Sequence, residues 1–359
     1  MIAGSFPKDK CGVGDYTHLL CNTLNEKVDL SVLTTFNDIE VNYPIIQHAN
    51  WGVSGIRSIM KKINFAEVEI VHLQVPTRMY GKKLLINILP MLLYFNKNKV
   101  VTTIHEYSDN STLGKIRLYP NILFSSKVIV VDSVYKEDMI KLPFIKESKI
   151  EYINIAANIP KSNITIDQVT KMKSEIFDEQ DQYHVIGYFG FVNESKCIES
   201  ILEVLTQIKI KTELKIKFLM IAELNSTDAY HKMLLNMIAE YNLEDMVYIT
   251  GYLEDMEVSK YISLCDVLVF PFKNGFSPKN GSVLAALQEG KKVITTSPVR
   301  NQQYEIDNLH YIKNEKDTET LLSLVYDLIK DTSQGINSVS YNWNDVANMN
   351  YKIYEEVLR

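Results

Sequence analysis

Cysteine is scarce in this sequence, and the way its few copies are placed removes several classes of protein. The four cysteines, at positions 11, 21, 197 and 265, form no Cys-x-x-Cys pair, so the common zinc and dithiol motifs are excluded. The histidines are dispersed, and HEYSD from His105 lacks the second histidine, at position 109, of a zinc-protease helix. No metal site is therefore predicted, and a set of reduced cytosolic thiols is expected.

Long apolar runs are also missing. The longest stretch, LLINILPMLLYF at 84–95, contains Pro90 and falls short of the ~20 residues of a membrane span. We expect a buried or interfacial helix there, in a cytoplasmic protein. No secretory leader is recognisable at the start of the sequence.

The charge of the chain is unevenly divided. The net charge is −6, but residues 1–160 hold 18 Lys and Arg against 15 Asp and Glu, whereas the remainder holds 20 against 29. A mildly basic first half and an acidic second half indicate that the two surfaces meet different partners, although two merely solvated surfaces would give the same counts. No nucleic-acid partner is predicted.

Nine short apolar, β-rich runs recur along the chain, each followed by a stretch of helical periodicity. Runs without strict alternation are typical of strands buried on both faces, and helices between them indicate parallel sheets. The predicted fold class is therefore α/β, with two Rossmann-like, doubly wound domains. The runs begin at residues 28, 68, 99, 127, 184, 215, 246, 266 and 291.

The domain boundary is predicted from a change of composition. A polar segment at 160–182 separates two sets of strands, so we expect an N-terminal domain over 1–160 and a C-terminal domain over 161–341. After the break KDTSQGINSVS, apolar residues return at helical spacing and predict a terminal helix over 342–359. The first strand, within MIAGSFP, is expected to be very short.

Candidate ligand-binding residues follow several of the predicted strands. Gly12 and Gly14 are expected between the first strand and its helix, where glycine lets a ligand phosphate approach, although Asp15 as a cap or a tight turn would explain them too. His72 and His105 are predicted at the C-terminal ends of two strands, with Gln74 close by. Each histidine can form a hydrogen bond with a sugar hydroxyl, or it can be a core residue whose hydrogen bonds are all made within the protein.

Two helix starts in the second half are candidate anion sites. GYFGFVNESK ends a strand at Gly190 and places Lys196 in the first turn of the next helix, although a lone lysine is by default a solvated one. KNGSVLAALQEG begins a helix directly after the strand DVLVFPF and its loop. The positive charge, the accessible backbone amides and the hydroxyl of this segment together form a site suited to a diphosphate. The residues that supply these groups are Lys279, Asn280, Gly281 and Ser282.

In their order and spacing these segments resemble the family-4 type of retaining nucleotide-sugar glycosyltransferases. That family has the GT-B fold, in which two Rossmann-like domains face each other across a cleft. The likeness covers nearly the whole chain. It is carried by GVGDYTHLL, VHLQVP, TIHE, VIVVDS, IEYINIAANI, GYFG followed by SK, YITGYLEDMEVSKYISLCDVLVFPF, GSVLAALQEGKKVITT and a tryptophan-bearing terminal helix.

The resemblance implies a role for each matched position. The glycine loop would lie near the donor phosphate or the acceptor, His105 would face the donor sugar and Lys196 would neutralise the diphosphate. The helix from Gly281 would hold the phosphates, and the terminal helix would cross back to the first domain. Residues on the acceptor side would be Asp15, Tyr16, His72 and Gln74, and the segment that holds the base, largely through its backbone, would be Gly251, Tyr252 and Leu253.

Three positions depart from the family pattern. Phe191 stands where members commonly carry an arginine, and Ser277 and Ala285 stand at the places of two glutamates. Some divergent members replace those carboxylates with a basic residue followed by Gly-Ser, as KNGS does here. Three readings stay open: an active glycosyltransferase, a catalytically silent subunit that supports a partner transferase, and a sugar-nucleotide epimerase of the same fold.

The chemistry that the resemblance implies needs no cofactor. Metal-dependent sugar transfer uses a divalent ion held by Asp-x-Asp, and no such triplet occurs in the sequence; helix N-termini with Lys196 and Lys279 would stabilise the leaving diphosphate instead. The expected partners are a nucleotide sugar and a glycan or lipid-linked acceptor of surface polysaccharide synthesis. The basic pairs Lys61–Lys62 and Lys82–Lys83 flank apolar segments and indicate contact with an anionic membrane at its inner face.

Overall fold

The computed structural model describes most of the chain and divides it into two compact units. The first comprises Met1–Asn158 with Tyr341–Arg359, and the second comprises Ile159–Ser340. The residues described are 1–7, 9, 11–35, 39–81, 83–108, 110–177, 183–211, 214–298, 304, 306–331 and 342–359. Lys82, the end of the predicted connection at 178–182 and most of the break before the terminal helix lie outside them.

The first unit is built on parallel strands. Ile2 forms single-residue bridges to Leu33 on one side and to Leu73 on the other, so the predicted first strand is reduced to one paired residue. The strands are β1 Val32–Thr34, β2 Ile45–Gln47, β3 Ile70–Val75, β4 Lys99–Ile104, β5 Lys127–Val130 and β6 Ile150–Tyr152. They pair in the orders β1-β2 and β3-β4-β5-β6.

Helices connect these strands, as parallel pairing requires. The apolar run at 84–95 forms a helix that buries Leu85, Leu89 and Leu93 and contains Pro90. Its predicted helical state is confirmed. The helices are α1 Gly12–Leu24, α2 Ile56–Phe65, α3 Leu85–Phe95, α4 Thr112–Phe124 and α5 Ser133–Met139.

The second unit has one six-stranded parallel sheet in the order β12-β11-β10-β7-β8-β9. The strands are β7 His184–Phe189, β8 Ile216–Ile221, β9 Val247–Ile249, β10 Val267–Phe270, β11 Lys292–Thr296 and β12 Leu309–Ile312. The helices are α6 Ile166–Phe177, α7 Glu199–Lys211, α8 Ala229–Glu240, α9 Asp255–Ser263, α10 Gly281–Gln288 and α11 Thr318–Lys330. Counted along the chain, this is the 3-2-1-4-5-6 order of nucleotide-binding sheets.

The terminal helix α12, Trp343–Leu358, lies in the first unit. Its apolar face buries Val346, Ile353 and Val357 in one cluster with Leu20 and Leu24 of α1. Trp343 Nε1 donates a hydrogen bond to the carbonyl of Ala157 at 2.9 Å. The helix is therefore part of the core of the first unit.

Candidate functional site

The sheet of the second unit has a switch point between β7 and β10. These strands are neighbours, but the chain leaves β7 toward β8 on one side and later returns to β10 on the other. In open α/β sheets the loops beyond the carboxyl ends of such strands diverge and leave a crevice for a ligand. Gly190, directly after β7, has a φ of +132°, a conformation that glycine tolerates and other residues rarely adopt.

The helix that follows β10 begins next to this switch point. A Cβ built on Gly190 would lie 3.7 Å from Cβ of Ser282 and 3.8 Å from its Oγ, so the first turn of α10 lies next to the end of β7. That helix buries its small and apolar residues, from Val283 to Leu287, against the unit. The sequence prediction of a close-packed helix over this stretch is confirmed.

The N-terminus of α10 has no side-chain cap. Asn280 is the N-cap residue, yet it makes no side-chain capping hydrogen bond; its Oδ1 accepts from the backbone N–H of Ser277 at 2.7 Å instead. The first turn also carries no acidic residue. Because the first amides of a helix carry partial positive charge, this end of α10 favours an anion.

Lys196 lies on a 3₁₀ turn, Glu194–Lys196, and not in the first turn of a helix. The sequence prediction was wrong here because Cys197 adopts a left-handed conformation that ends the turn, and α7 begins only at Glu199. Lys196 Nζ lies 4.4 Å from the ring centroid of Phe272, just beyond β10. Burial lowers the pKa of the Lys196 amino group from its ordinary value.

The 3₁₀ turn is fixed to the loop after β10. The backbone N–H of Lys273 donates to the carbonyl of Ser195 at 3.0 Å. The amino group of Lys196 is thus placed beside the switch point by two neighbouring strand ends. Phe191, at the place of the family arginine, is 80% exposed, and its carbonyl accepts from Tyr188 Oη at 2.8 Å.

Four further residues that were predicted to bind the donor, Gly251, Tyr252, Leu253 and Lys279, lie on the same unit. Gly251 follows β9 with a φ of +76°, and Tyr252 beside it is 71% exposed; Leu253 is half-buried. Because β8 separates β9 from β7, this segment lies further along the carboxyl edge of the sheet than Gly190 does. Lys279 precedes α10, and its backbone N–H donates to Ser277 Oγ at 3.5 Å.

Gly12 and Gly14 lie inside the first turn of α1, and not before the helix as predicted. Cys11 is the extended N-cap residue, so the helix starts one residue after it. A Cβ on Gly14 would come within 3.2 Å of the backbone of Ser5 and Phe6, whereas a Cβ on Gly12 would meet nothing within 4 Å. Gly14 therefore allows close packing, and Gly12 leaves an open surface. Asp15 lies in the same turn.

His72 lies inside β3, three residues before its end, and not at the end as predicted. It is 2% exposed, and Gln74 is 0% exposed. Nδ1 of His72 contacts Tyr354 Oη at 2.5 Å, and Nε2 contacts Thr103 Oγ1 at 2.7 Å. Of the two readings, the structure supports the satisfied core histidine.

His105 follows the last residue of β4, as predicted. Its Nε2 lies 2.8 Å from Gln74 Oε1, and its ring packs edge-on against Tyr16 with centroids 4.7 Å apart. The structure thus brings Tyr16, Gln74, His72 and His105 into one buried cluster of the first unit.

Comparison with known proteins decides the fold. Residues 170–343 match the family model described as glycosyl transferases group 1, and none of the curated proteins matches the sequence. A glycosyltransferase of Rickettsia africae superposes with a TM-score of 0.77 at 15% identity, over 100% of this chain and 97% of that one. The fold is GT-B.

Two further solved structures have the same architecture. Sucrose-phosphate synthase of Thermosynechococcus elongatus superposes with a TM-score of 0.71 at 16% identity, over 96% of this chain and 93% of that one. HepE of Anabaena, in complex with UDP and glucose, superposes with a TM-score of 0.68 at 14% identity, over 99% of this chain and 98% of that one. At these identities the likeness concerns the fold.

Several residues of the GT-B chain that shape the site carried no signal in the sequence. Phe272 places Lys196, and Tyr354 binds His72. The sequence indicates only that Trp343 lies on the terminal helix, whereas in the structure its ring centroid lies 5.2 Å from that of Tyr16. An aromatic residue at helical spacing is ordinarily read as core, so only the fold reveals what it contacts.

The described residues contain neither a cluster of metal ligands nor a membrane-spanning helix. Within the described ranges, no three or more His, Cys, Asp and Glu side chains group together so as to hold a metal ion. None of the described helices has both the length and the apolar character needed to cross a bilayer.

Proposed function

We propose that the chain is a retaining, metal-independent glycosyltransferase that moves a sugar from a nucleotide-sugar donor to an acceptor hydroxyl. The acceptor would be a glycan or a lipid-linked oligosaccharide in the synthesis of a surface polysaccharide or glycoconjugate. One observation carries the proposal: the uncapped, carboxylate-free N-terminus of α10 lies beside Gly190 at the switch point of a 3-2-1-4-5-6 sheet. The family-model match to residues 170–343, which include this site, supports it.

The diphosphate would bind at that N-terminus. Its oxygens would accept from the first amides of α10 and from Ser282, and the Lys196 ammonium, held between two strand ends, would offset the charge that develops as the sugar leaves. Gly251 to Leu253 would hold the base. With helix amides and a lysine stabilising the leaving group, the reaction would not require a divalent ion.

Retention follows in this scheme from the leaving phosphate itself. A phosphate oxygen released on the same face of the sugar would take the proton of the acceptor hydroxyl, so that no side chain need act as a dedicated base. His105 would face the donor sugar, Gly12 would lie near the donor phosphate or the acceptor, and Asp15 and Tyr16 would lie toward the acceptor. Ser277 and Ala285 supply no carboxylate to the sugar or the ribose, and Ala285 is fully buried.

A panel of nucleotide sugars tests the proposal without knowledge of the acceptor. Slow hydrolysis of one donor, in buffer with EDTA, would name that donor and support transfer without a metal; activity abolished by EDTA and restored by Mg²⁺ would refute the metal-independent part. If the only product is an isomeric nucleotide sugar, the chain is an epimerase.

Calorimetric titration with UDP, GDP and ADP separates the enzyme from a silent subunit. An enzyme should bind one of the three and lose affinity in Lys196→Ala. A chain that binds none of them and hydrolyses no donor would be a supporting subunit, and the proposal would be wrong.

A membrane-presented acceptor is the second part of the proposal. Lys61 and Lys83 are exposed, and the amino group of Lys62 donates to the carbonyl of Gln47. At the end of α3, Tyr94 and Phe95 are 57% and 70% exposed, a placement that suits aromatic residues at a bilayer interface. Co-sedimentation with anionic liposomes at low and high salt tests this, and absence of binding at low salt would refute it.

A further inference from the structure

A row of buried polar side chains runs from α12 to His105 through the core of the first unit. His72, Gln74 and His105 are 2%, 0% and 6% exposed, and Tyr354 is 9% exposed. The contacts are 2.5 Å from Tyr354 Oη to His72 Nδ1, 3.3 Å from His72 Nε2 to Gln74 Nε2, and 2.8 Å from Gln74 Oε1 to His105 Nε2. Three hydrogen bonds thus link a helix near the C-terminus to a predicted site residue.

The direction of each bond can be assigned from its neighbours. The amide nitrogen of Gln74 also lies 3.2 Å from Met1 Sδ, and a thioether only accepts, so this side of the amide is the NH₂ group. The carbonyl Oε1 then faces His105. Since Oε1 only accepts, His105 carries a hydrogen on Nε2.

His72 has the opposite arrangement. Its Nε2 is approached by the NH₂ group of Gln74 and, at 2.7 Å, by the hydroxyl of Thr103, and both can donate. Burial lowers the pKa of His72 well below its ordinary value, so the ring is neutral and has a single hydrogen. That hydrogen lies on Nδ1 and is donated to Tyr354 Oη. All three bonds therefore run the same way, from His105 toward Tyr354.

We propose that the hydroxyl of Tyr354 fixes which ring nitrogen of His105 carries the hydrogen, acting through His72 and Gln74 as positioning residues. Nε2–H of His105 then points toward Gln74 in the core, and in the uncharged form of the ring Nδ1 is the acceptor nitrogen. The catalytic consequence rests on the proposed function, in which a hydroxyl of the donor sugar donates to this ring. The tautomer itself does not depend on that function.

Loss of the Tyr354 hydroxyl should reverse the row without breaking it. In Tyr354→Phe, Nδ1–H of His72 has no acceptor, so the hydrogen moves to Nε2 and is donated to Thr103 Oγ1 and to Gln74. The Gln74 amide must then turn over to offer its oxygen to His72 and its NH₂ group to His105. His105 then carries its hydrogen on Nδ1, and both hydrogen bonds of Gln74 form again with their direction reversed.

Nitrogen NMR of the histidine rings reads this state directly. Full-length protein labelled with ¹⁵N-histidine gives long-range ¹H–¹⁵N correlations that distinguish protonated from unprotonated ring nitrogens, and His72→Gln and His105→Gln assign the two rings. We expect Nε2–H for His105 and Nδ1–H for His72 in the parent, and the reverse in Tyr354→Phe. Tyr351→Phe, three residues earlier on α12, is the matched control and should leave both rings unchanged.

Two results would overturn the proposal: Nδ1–H for His105 in the parent, or Nε2–H retained in Tyr354→Phe. A double variant gives a second test of the same hydrogen bonds if Tyr354→Phe alone is unstable. In Gln74→Glu with Tyr354→Phe, the carboxylate accepts from both rings, so His105 should return to Nε2–H; failure to return would also contradict the relay.

Donor hydrolysis measures the consequence for the reaction. We expect Tyr354→Phe to lower kcat by about tenfold, the value of one ordinary hydrogen bond, with the affinity for the nucleoside diphosphate unchanged, and the double variant to recover part of that loss. A reversed tautomer of His105 with unchanged kcat would show that the tautomer has no effect on catalysis, while the link from Tyr354 to His105 would still hold. If no donor is hydrolysed by any variant, the proposed function fails, and the NMR spectra still decide the tautomer.

Discussion

Replacing Lys196 by methionine should separate what this lysine does for the fold from what it does for a ligand. Methionine keeps an unbranched stem on the ring of Phe272 and removes the charge. Burial lowers the pKa of the amino group, so folding desolvates the ammonium at a cost. The contact with Phe272 at 4.4 Å returns about 0.5–2 kcal/mol. Because the two effects oppose, the free energy of unfolding should change by less than about 1 kcal/mol.

Ligand affinity should change much more. A charge-assisted hydrogen bond to a phosphate contributes about 1.5–3 kcal/mol, so Lys196→Met should weaken binding of the cognate nucleoside diphosphate about 10- to 150-fold. Isothermal titration calorimetry measures the affinity, and urea denaturation measures the stability. Lys273→Met is the control, since this exposed neighbour should change affinity by less than about threefold, as a screened surface charge does.

The pH dependence gives the same lysine a second signature. Its lowered pKa means that the amino group loses its proton at a lower pH than an exposed lysine does. Affinity for the diphosphate should therefore be full below that pKa and fall as the pH rises through it, and Lys196→Arg should remove the fall because arginine stays charged. The reasoning is refuted if Lys196→Met binds as tightly as the parent, or if its loss of affinity follows a comparable loss of stability.

Three further predictions follow from the packing and burial of single residues. Gly14→Ala should lower the free energy of unfolding by about 1–3 kcal/mol, because its Cβ would lie 3.2 Å from backbone atoms. Gly12→Ala should leave stability unchanged and should lower activity only if a ligand approaches there. Urea denaturation and the hydrolysis assay compare the two variants. Gly187→Ala should be at least as costly, because its Cβ would lie 2.3 Å from Cys265 Sγ, and Cys265→Ala in the same chain should restore part of the melting temperature. Burial keeps the pKa of His72 well below 6.5 and the ring neutral in the folded protein, whereas His72 of the unfolded chain takes up a proton below pH 6.5. Its contribution to the free energy of unfolding is therefore present above pH 6.5 and is lost below it, by about 1.4 kcal/mol per pH unit. His72→Gln should flatten a plot of that free energy against pH.

The strands were largely predictable because most are buried on both faces. All nine apolar runs contain a strand in the structure, and continuous burial is what makes such a run readable. The missed strands lack that signature. Residues of β2 are half-buried or exposed, only the first residue of β6 is buried, and only the two end residues of β12 are buried, so none of the three gives a continuous apolar run. Ile2 forms only isolated bridges, in line with the very short strand expected there.

Site residues were harder to place because their surroundings depend on contacts distant in sequence. Gly12 and Gly14 were predicted to lie in a loop before α1, since nothing in the local sequence shows that Cys11 is the extended N-cap residue. His72 read as a strand end, and only its pairing with Tyr354, 282 residues away, shows it as part of the core. By contrast, the start of α10 was predictable from local chemistry alone, because Gly-Ser after a strand end and loop leaves helix amides open.

The charge distribution along α10 is consistent with the proposed anion site at its N-terminus. Glu289 is the C-cap residue, at the end where the helix dipole disfavours a carboxylate. It is held there by three hydrogen bonds, from the backbone N–H and the hydroxyl of Ser162 and from Ser263 Oγ. Glu289 thus has a structural role at the C-terminus of α10, where the dipole disfavours a negative charge. The N-terminus, where the dipole favours one, has neither a carboxylate nor a side-chain cap. The end of α10 at which we propose that the diphosphate binds thus keeps its amides open, as that proposal requires.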